Sequence, residues 1–307
     1  MTVDPEDVRA AARRIAGHVR RTPILALGEQ DGASVVAKVE LLQHTGSFKP
    51  RGAFNKLLSS EVPSAGVIAA SGGNFGAAVA YAARVAGVTA EIFVPATSPE
   101  AKIARIRGLG AVVTVVDGYY AEAQAALAGR QAETGALLMH PFDQPEVIAG
   151  QGTIGIELDE QIPDLDAVLV AVGGGGLIAG IAAWFRGRVR VVGVEPRSCA
   201  TMSAALEAGS PVVADVGGIA ADSLGSARVG DRTFPIVRDH VDRVVLVEDD
   251  AIHAAQRAYW DECRLIVEPG GAAALAALRS SAYVPASGER ICVLASGGNC
   301  DPATVAG

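Results

Sequence analysis

The sequence has 307 residues, half of them hydrophobic and a fifth charged, with 36 glycines and 15 prolines. That balance excludes a disordered chain and a coiled coil, and the length leaves room for one large or two modest domains with a ligand-sized core. Acidic residues outnumber basic ones 34 to 26, for a net charge of −8, and only 5% are aromatic, so neither phosphate neutralisation nor base stacking is provided for and no nucleic-acid or membrane partner is expected.

From about residue 35 onward, β-branched runs alternate with alanine-rich helical patterns. In chain order, strands are expected at 35–39, 67–70, 90–94, 112–115, 167–172, 189–194 and 291–294. Helices are expected at 75–85, 99–107, 121–134, 177–185 and 249–262. Several of the strands are apolar throughout, as buried parallel strands are. The alternation is that of βαβ units, and the fold class is α/β. Breaks near Pro63 and Pro145 are the candidate domain edges.

Residues 167–185 run for nineteen positions without a charge, close to the roughly 20 that cross a bilayer as a helix. Gly173, Gly174, Gly175 and Gly176 interrupt them. Each would cost a helix about 1 kcal/mol relative to alanine, so strand, glycine loop and helix are expected instead. Cys199, Cys263, Cys292 and Cys300 show no C-x-x-C spacing and follow no secretory leader; reduced thiols and a cytoplasmic location are expected.

Glycine-rich turns end several strands: Ser71-Gly72-Gly73-Asn74, the run 173–176, Gly270-Gly271 and Ser296-Gly297-Gly298-Asn299. Ligands of open parallel sheets bind outside the carboxyl ends of strands, so these turns suggest one shared site. Any one alone reads equally well as a tight chain reversal. The region also fits the dinucleotide-binding fingerprint, with Gly174 to Ala179 as G-x-G-x-x-A and Glu195 nineteen residues after Gly176 for a ribose hydroxyl. A nicotinamide-dependent oxidoreductase therefore stays open. Both readings place a phosphate on bare backbone amides at a helix N-terminus.

The segment Ser47-Phe48-Lys49-Pro50-Arg51-Gly52 puts a lysine at a helix start between an aromatic and a proline. Desolvation and the helix dipole both depress an amine there, and such amines form Schiff bases. A solvated Lys-Pro-Arg turn is the alternative; the glycine turns favour the reactive amine.

Together with Thr45-Gly46, Ala53, His140-Pro141-Phe142-Asp143, Gly150-Gln151-Gly152-Thr153 and Glu268-Pro269, these segments resemble the fold-type II pyridoxal-phosphate enzymes, in the serine/threonine dehydratase and serine racemase branch. The likeness covers nearly the whole chain. It implies two open, mostly parallel sheets wrapped by helices, as in the tryptophan synthase β-subunit. It also implies a large domain (1–65 and 144–307), a small mobile substrate domain (66–143) and a homodimer. Pyridoxal 5′-phosphate would be held by Lys49 as a Schiff base, and Lys49 would then take the substrate's Cα proton. Phe48 would flank the ring, Asn74 bond its hydroxyl, Ser296 face its nitrogen and Glu268 lie beside it. Gly173, Gly174, Gly175, Gly176 and Leu177 would cradle the phosphate. Ser71, Gly72, Gly73, Asn74 and Phe75 would receive the carboxylate of an amino acid substrate.

The implied reaction removes water from L-threonine or L-serine, giving a 2-oxo acid and ammonia. A serine at 296 does not keep the ring nitrogen protonated, which discourages long-lived carbanions and favours elimination. Family racemases carry a second hydroxyl two residues before the asparagine, where this chain has Gly72; dehydration is thus favoured over racemisation, with serine racemase and β-replacement as alternatives. Glu195, Cys199 and Thr201 correspond to the family's cation site, and one carboxylate with a hydroxyl suits potassium better than a divalent ion. A capping role for Glu195 is the alternative. Ser223 stands where dehydratases more often have glycine, which leaves the accepted side chain open. His140 is expected to be structural.

Overall fold

Apolar runs become strands and the alanine-rich stretches between them become helices in the computed structural model, which describes residues 2–306. The first elements are α1 (Pro5–Ile15), β1 (Ile24–Gln30), β2 (Ala33–Val39), α2 (Pro50–Leu58), β3 (Val67–Ala70), α3 (Asn74–Ala86), β4 (Ala90–Pro95), α4 (Glu100–Gly108), β5 (Val112–Val116), α5 (Tyr120–Thr134) and β6 (Leu137–Leu138). They are followed by α6 (Pro145–Gln161), β7 (Ala167–Ala171), α7 (Gly176–Phe185), β8 (Arg190–Pro196), α8 (Thr201–Ala208), α9 (Ala221–Leu224), α10 (Thr233–His240), β9 (Arg243–Val247), α11 (Asp249–Cys263), α12 (Pro269–Arg279) and β10 (Arg290–Ala295). The uncharged segment 167–185 is strand, glycine loop and helix, and among the described residues no helix is long and apolar enough to cross a membrane.

Six strands form one sheet in the order β1-β2-β10-β7-β8-β9, parallel except for the β1–β2 hairpin, and four form a parallel sheet in the order β5-β4-β3-β6. Successive strand residues face opposite sides, and both sides of each sheet are covered. Val168 and Val170 pack toward α1, α6, α7 and α10, whereas Leu169 and Ala171 pack toward α11 and α12. In the smaller sheet Val67 and Ala69 meet α3 and α4, and Ile68 and Ala70 meet α5. The Ala53, Phe54 and Leu57 side chains of α2 join the α3–α4 core, so the helix that follows Lys49 lies against the smaller sheet's helices.

Two features lie beyond the expected pattern. Val112 is 56% exposed because β5 is a sheet edge. The strands β1, β6 and β9 lie outside the expected set: β1 and β9 are half-exposed edges, β1 is bulged at Gly28, and β6 has only two residues.

Candidate active site

The lysine loop is stitched to the end of β10. The Phe48 N–H donates to the Ser296 carbonyl at 3.1 Å, the Gly298 N–H to the Gly46 carbonyl at 3.0 Å, and Ser47 bridges Gly297. Lys49 then caps α2, with Pro50 at its first position, where a missing N–H costs nothing. Its Nζ lies 5.0 Å from the Phe48 ring centre and 5.8 Å from that of Phe75, and donates to the Pro141 carbonyl at 3.3 Å. Burial brings this amine down to about 8, opposed by the nearby Glu268 carboxylate.

Two residues on, Arg51 is fully buried and forked between carboxylates. It reaches Glu40 at 2.7 and 2.8 Å and Glu157 at 2.7 and 3.0 Å, while Lys38 pairs with Glu157 at 2.5 Å. Burial works against the Arg51 charge, but the two carboxylates outweigh it and hold the guanidinium above its ordinary range. The network ties β2, α2 and α6 together beneath Lys49.

Across the cleft, Ser71 to Gly73 form the turn from β3 into α3, and Asn74 is the first residue of that helix. Its Nδ2 donates to Glu268 Oε1 at 2.7 Å, and its Oδ1 accepts from Asn299 Nδ2 at 2.6 Å. Glu268 is buried at the start of α12; burial lifts its carboxyl to about 7 against the Asn74 bond and the Lys102 charge. Lys102 of α4 pairs with Asp222, and the Ser223 hydroxyl accepts from the Gly270 N–H at 3.1 Å, so Ser223 braces the start of α12.

The run 173–176 connects β7 to the N-terminus of α7. A methyl group on Gly173 would lie 2.8 Å from the Leu224 carbonyl oxygen, one on Gly175 would lie 2.7 Å from Thr233 Oγ1, and ones on Gly174 and Gly176 would enter Phe142. Neighbours thus exclude side chains, and the loop offers backbone alone. Leu177, next in the helix, is buried. Phe142 and the Pro141 carbonyl, both from the segment before α6, join this loop to Lys49. Phe142, Pro141 and Asn299 had no assigned role in the sequence, because nothing local marks which distant loop they meet.

Lys49, Phe48, Phe75, Asn74, Glu268, Ser296 and the two glycine turns therefore converge. The donor set suits pyridoxal phosphate: a depressed amine for an aldehyde, bare amides at a helix N-terminus for a phosphate, and a buried hydroxyl-bearing residue at 296. Glu195, Cys199 and Thr201 form a separate cluster. Glu195 accepts from the Met202 N–H at 2.6 Å, the Ser203 N–H at 2.9 Å and the Ser203 hydroxyl at 2.7 Å, so it caps α8. Thr201 Oγ1 donates to the Ser226 carbonyl at 2.8 Å, and the Cys199 thiol faces the Leu224 carbonyl. Glu195 is thus engaged in capping α8, and the glycine loop is joined through Phe142 and Pro141 to the Lys49 pocket, which favours the lysine-centred reading over the dinucleotide one. The His140 ring accepts from the Phe142 and Asp143 N–H groups, which shapes the turn.

A family model described as pyridoxal-phosphate dependent enzyme matches residues 15–297. An L-threonine ammonia-lyase of Geobacter sulfurreducens is 42% identical over 306 residues, 97% of this chain and 76% of that protein. A serine racemase of Oryza sativa subsp. indica is 35% identical, over 97% of this chain and 91% of that one. Among solved structures, maize serine racemase superposes with a TM-score of 0.94 at 34% identity, covering 99% of this chain and 96% of that one. The serine racemase of Dictyostelium discoideum gives 0.91 at 35%, covering 98% and 100%.

Proposed function

Since this chain belongs to the family of pyridoxal-phosphate dependent enzymes, we propose that it removes water from an L-β-hydroxy amino acid, threonine or serine, releasing a 2-oxo acid and ammonia. The observation that carries this is the Lys49 amine, enclosed by two aromatic rings, brought down to about 8 and paired with no carboxylate among the described residues. Such an amine attacks an aldehyde near neutral pH and afterwards accepts a proton. Relatives named L-threonine ammonia-lyase support the substrate class.

Pyridoxal phosphate, when bound, supplies the electron sink that makes a Cα proton removable. Lys49 would hold its aldehyde, the 173–177 loop its phosphate, Ser296 its ring nitrogen and Asn74 its ring hydroxyl, with Phe48 and Glu268 beside the ring. The turn Ser71 to Phe75 would bind the substrate carboxylate at the N-terminus of α3, and Lys49 would take the Cα proton. We take residues 66–143 as a mobile small domain and 1–65 with 144–307 as the large one, working as a cytoplasmic homodimer. A monovalent cation at Glu195, Cys199 and Thr201 would use the lone pairs that the capping bonds leave on a buried carboxylate; potassium dependence of activity tests it.

Purified protein supplied with pyridoxal phosphate is expected to turn yellow and to form a 2-oxo acid from threonine or serine, whereas Lys49→Ala does neither. Colourless protein, or coloured protein releasing no ammonia from any β-hydroxy amino acid, overturns the proposal.

One observation favours racemisation as an accompanying activity. A side chain at Gly72 would begin where the Ser98 hydroxyl already lies, with the Ser98 Cβ 3.0 Å from that point. The loop between β4 and α4 would then offer a hydroxyl beside residue 72, in a chain whose relatives include serine racemases. D-serine formation that is lost in Ser98→Ala while ammonia release survives supports this. D-serine formation that is absent in the wild type, or unchanged in the variant, rejects it.

A further inference from the structure

We infer that Asn299 is a positioning residue: it dictates which way round the Asn74 amide sits, and Arg105 dictates the orientation of Asn299. This deepens the proposed function, in which Asn74 meets the cofactor ring. Arg105 Nη1 donates to Asn299 Oδ1 at 2.5 Å, Asn299 Nδ2 to Asn74 Oδ1 at 2.6 Å, and Asn74 Nδ2 to Glu268 Oε1 at 2.7 Å. The two ends of a carboxamide have nearly the same shape, so its direction is set by its partners. A guanidinium only donates, which fixes the direction of Asn299 and through it that of Asn74, and Glu268 Oε1 accepts at the far end. The relay therefore turns the Asn74 carbonyl toward Asn299 and its amino group away from it, with one N–H on Glu268 and the second without a partner among the described residues.

The backbone is built around the same contact. Thr45 has a φ of 59°, which is unusual for a β-branched residue, and its carbonyl accepts from both Arg105 Nη2 at 2.9 Å and Asn299 Nδ2 at 2.8 Å. At Gly46, whose φ is +69°, a methyl group would lie 2.5 Å from Asn299 Oδ1. Arg105 and Asn74 stand on helices of the four-stranded sheet, while Thr45, Glu268 and Asn299 stand on loops of the six-stranded one. The direction of Asn74 is thus set only while the two halves are together.

The test is Asn299→Asp, alongside Asn74→Ala, Asn299→Ala and the double alanine variant. Aspartate matches asparagine in size and pairs with Arg105, so a contact that merely ties the halves together survives. It also presents an acceptor to the Asn74 carbonyl, which must turn away. The expected result is a fall in kcat of about tenfold or more with little change in KM, and a shifted absorption band of bound pyridoxal phosphate. Arg105→Gln should lose several-fold and Arg105→Lys restore it. In cofactor-free protein, the urea midpoint of the double alanine variant should fall by clearly less than the two single losses added together, because both single variants remove the one bond that the two asparagines share. Wild-type kcat and spectrum in Asn299→Asp, or midpoint losses that simply add, overturn the inference. If the wild-type chain forms no 2-oxo acid from any β-hydroxy amino acid, the proposed function fails while the urea series still decides this point.

Discussion

Burial acts on Lys49 and Glu268 in opposite directions, because in each case it disfavours the charged form. The amine comes down to about 8 and the carboxyl goes up to about 7. In cofactor-free protein, acylation of Lys49 by an amine-reactive reagent should be half-maximal near pH 8, below the ordinary lysine range. Folded Glu268 binds its proton more tightly than the unfolded carboxyl does, so its contribution to stability falls as pH rises from about 4.5 to about 7. Glu268→Gln should therefore stabilise the cofactor-free protein at pH 8 by up to roughly 3 kcal/mol in urea titrations, a gain that vanishes near pH 4.5. The lysine is legible in its own hexapeptide, although burial rather than the helix dipole is the leading cause of its depression. Asn299 and Ser98 are not, because Asn299 meets an asparagine 225 positions away and Ser98 fills space vacated on another loop.

At the scale of elements, α6 is the spine that sets α2 against α7. A methyl group on Gly150 would lie 2.6 Å from the Arg51 carbonyl oxygen, and one on Gly152 would lie 2.7 Å from that of Gly180. The helix bearing the lysine and the helix bearing the glycine loop are therefore gauged by backbone contact. Gly152→Ala should cost about 1–3 kcal/mol and weaken pyridoxal-phosphate binding in a titration. Gly129→Ala, in α5 with open space around it, should instead gain up to about 1 kcal/mol. The motif Gly150-Gln151-Gly152-Thr153 is visible in the sequence, but its purpose is not, since close approach of helices leaves no periodic signature. The edge strand β1 is weakly marked because its second half, Gly28-Glu29-Gln30, is polar and bulged, whereas β9 carries the run Val244-Val245-Leu246-Val247 and is legible in the sequence.

At the scale of the molecule, two sheets meet across a cleft bridged by the Asn74–Glu268 and Asn74–Asn299 bonds and by the Lys102–Asp222 pair. The alternation of strands and helices makes the fold class legible, whereas the division into two sheets depends on strand order, which no local pattern encodes. Lys102 and Asp222 are 25% and 61% exposed in their side chains. A pair so open to water contributes roughly 0.2–1 kcal/mol, little more than thermal energy, and salt screens it. Hydrogen exchange in α3 and α4 should accordingly quicken as ionic strength rises, and Asp222→Asn should remove most of that dependence. Raised salt would therefore loosen one of the ties across the cleft and leave the Asn74 bonds to hold the two sheets together, so that the tie most easily undone is the one open to water and not the one made to the buried Glu268 carboxyl.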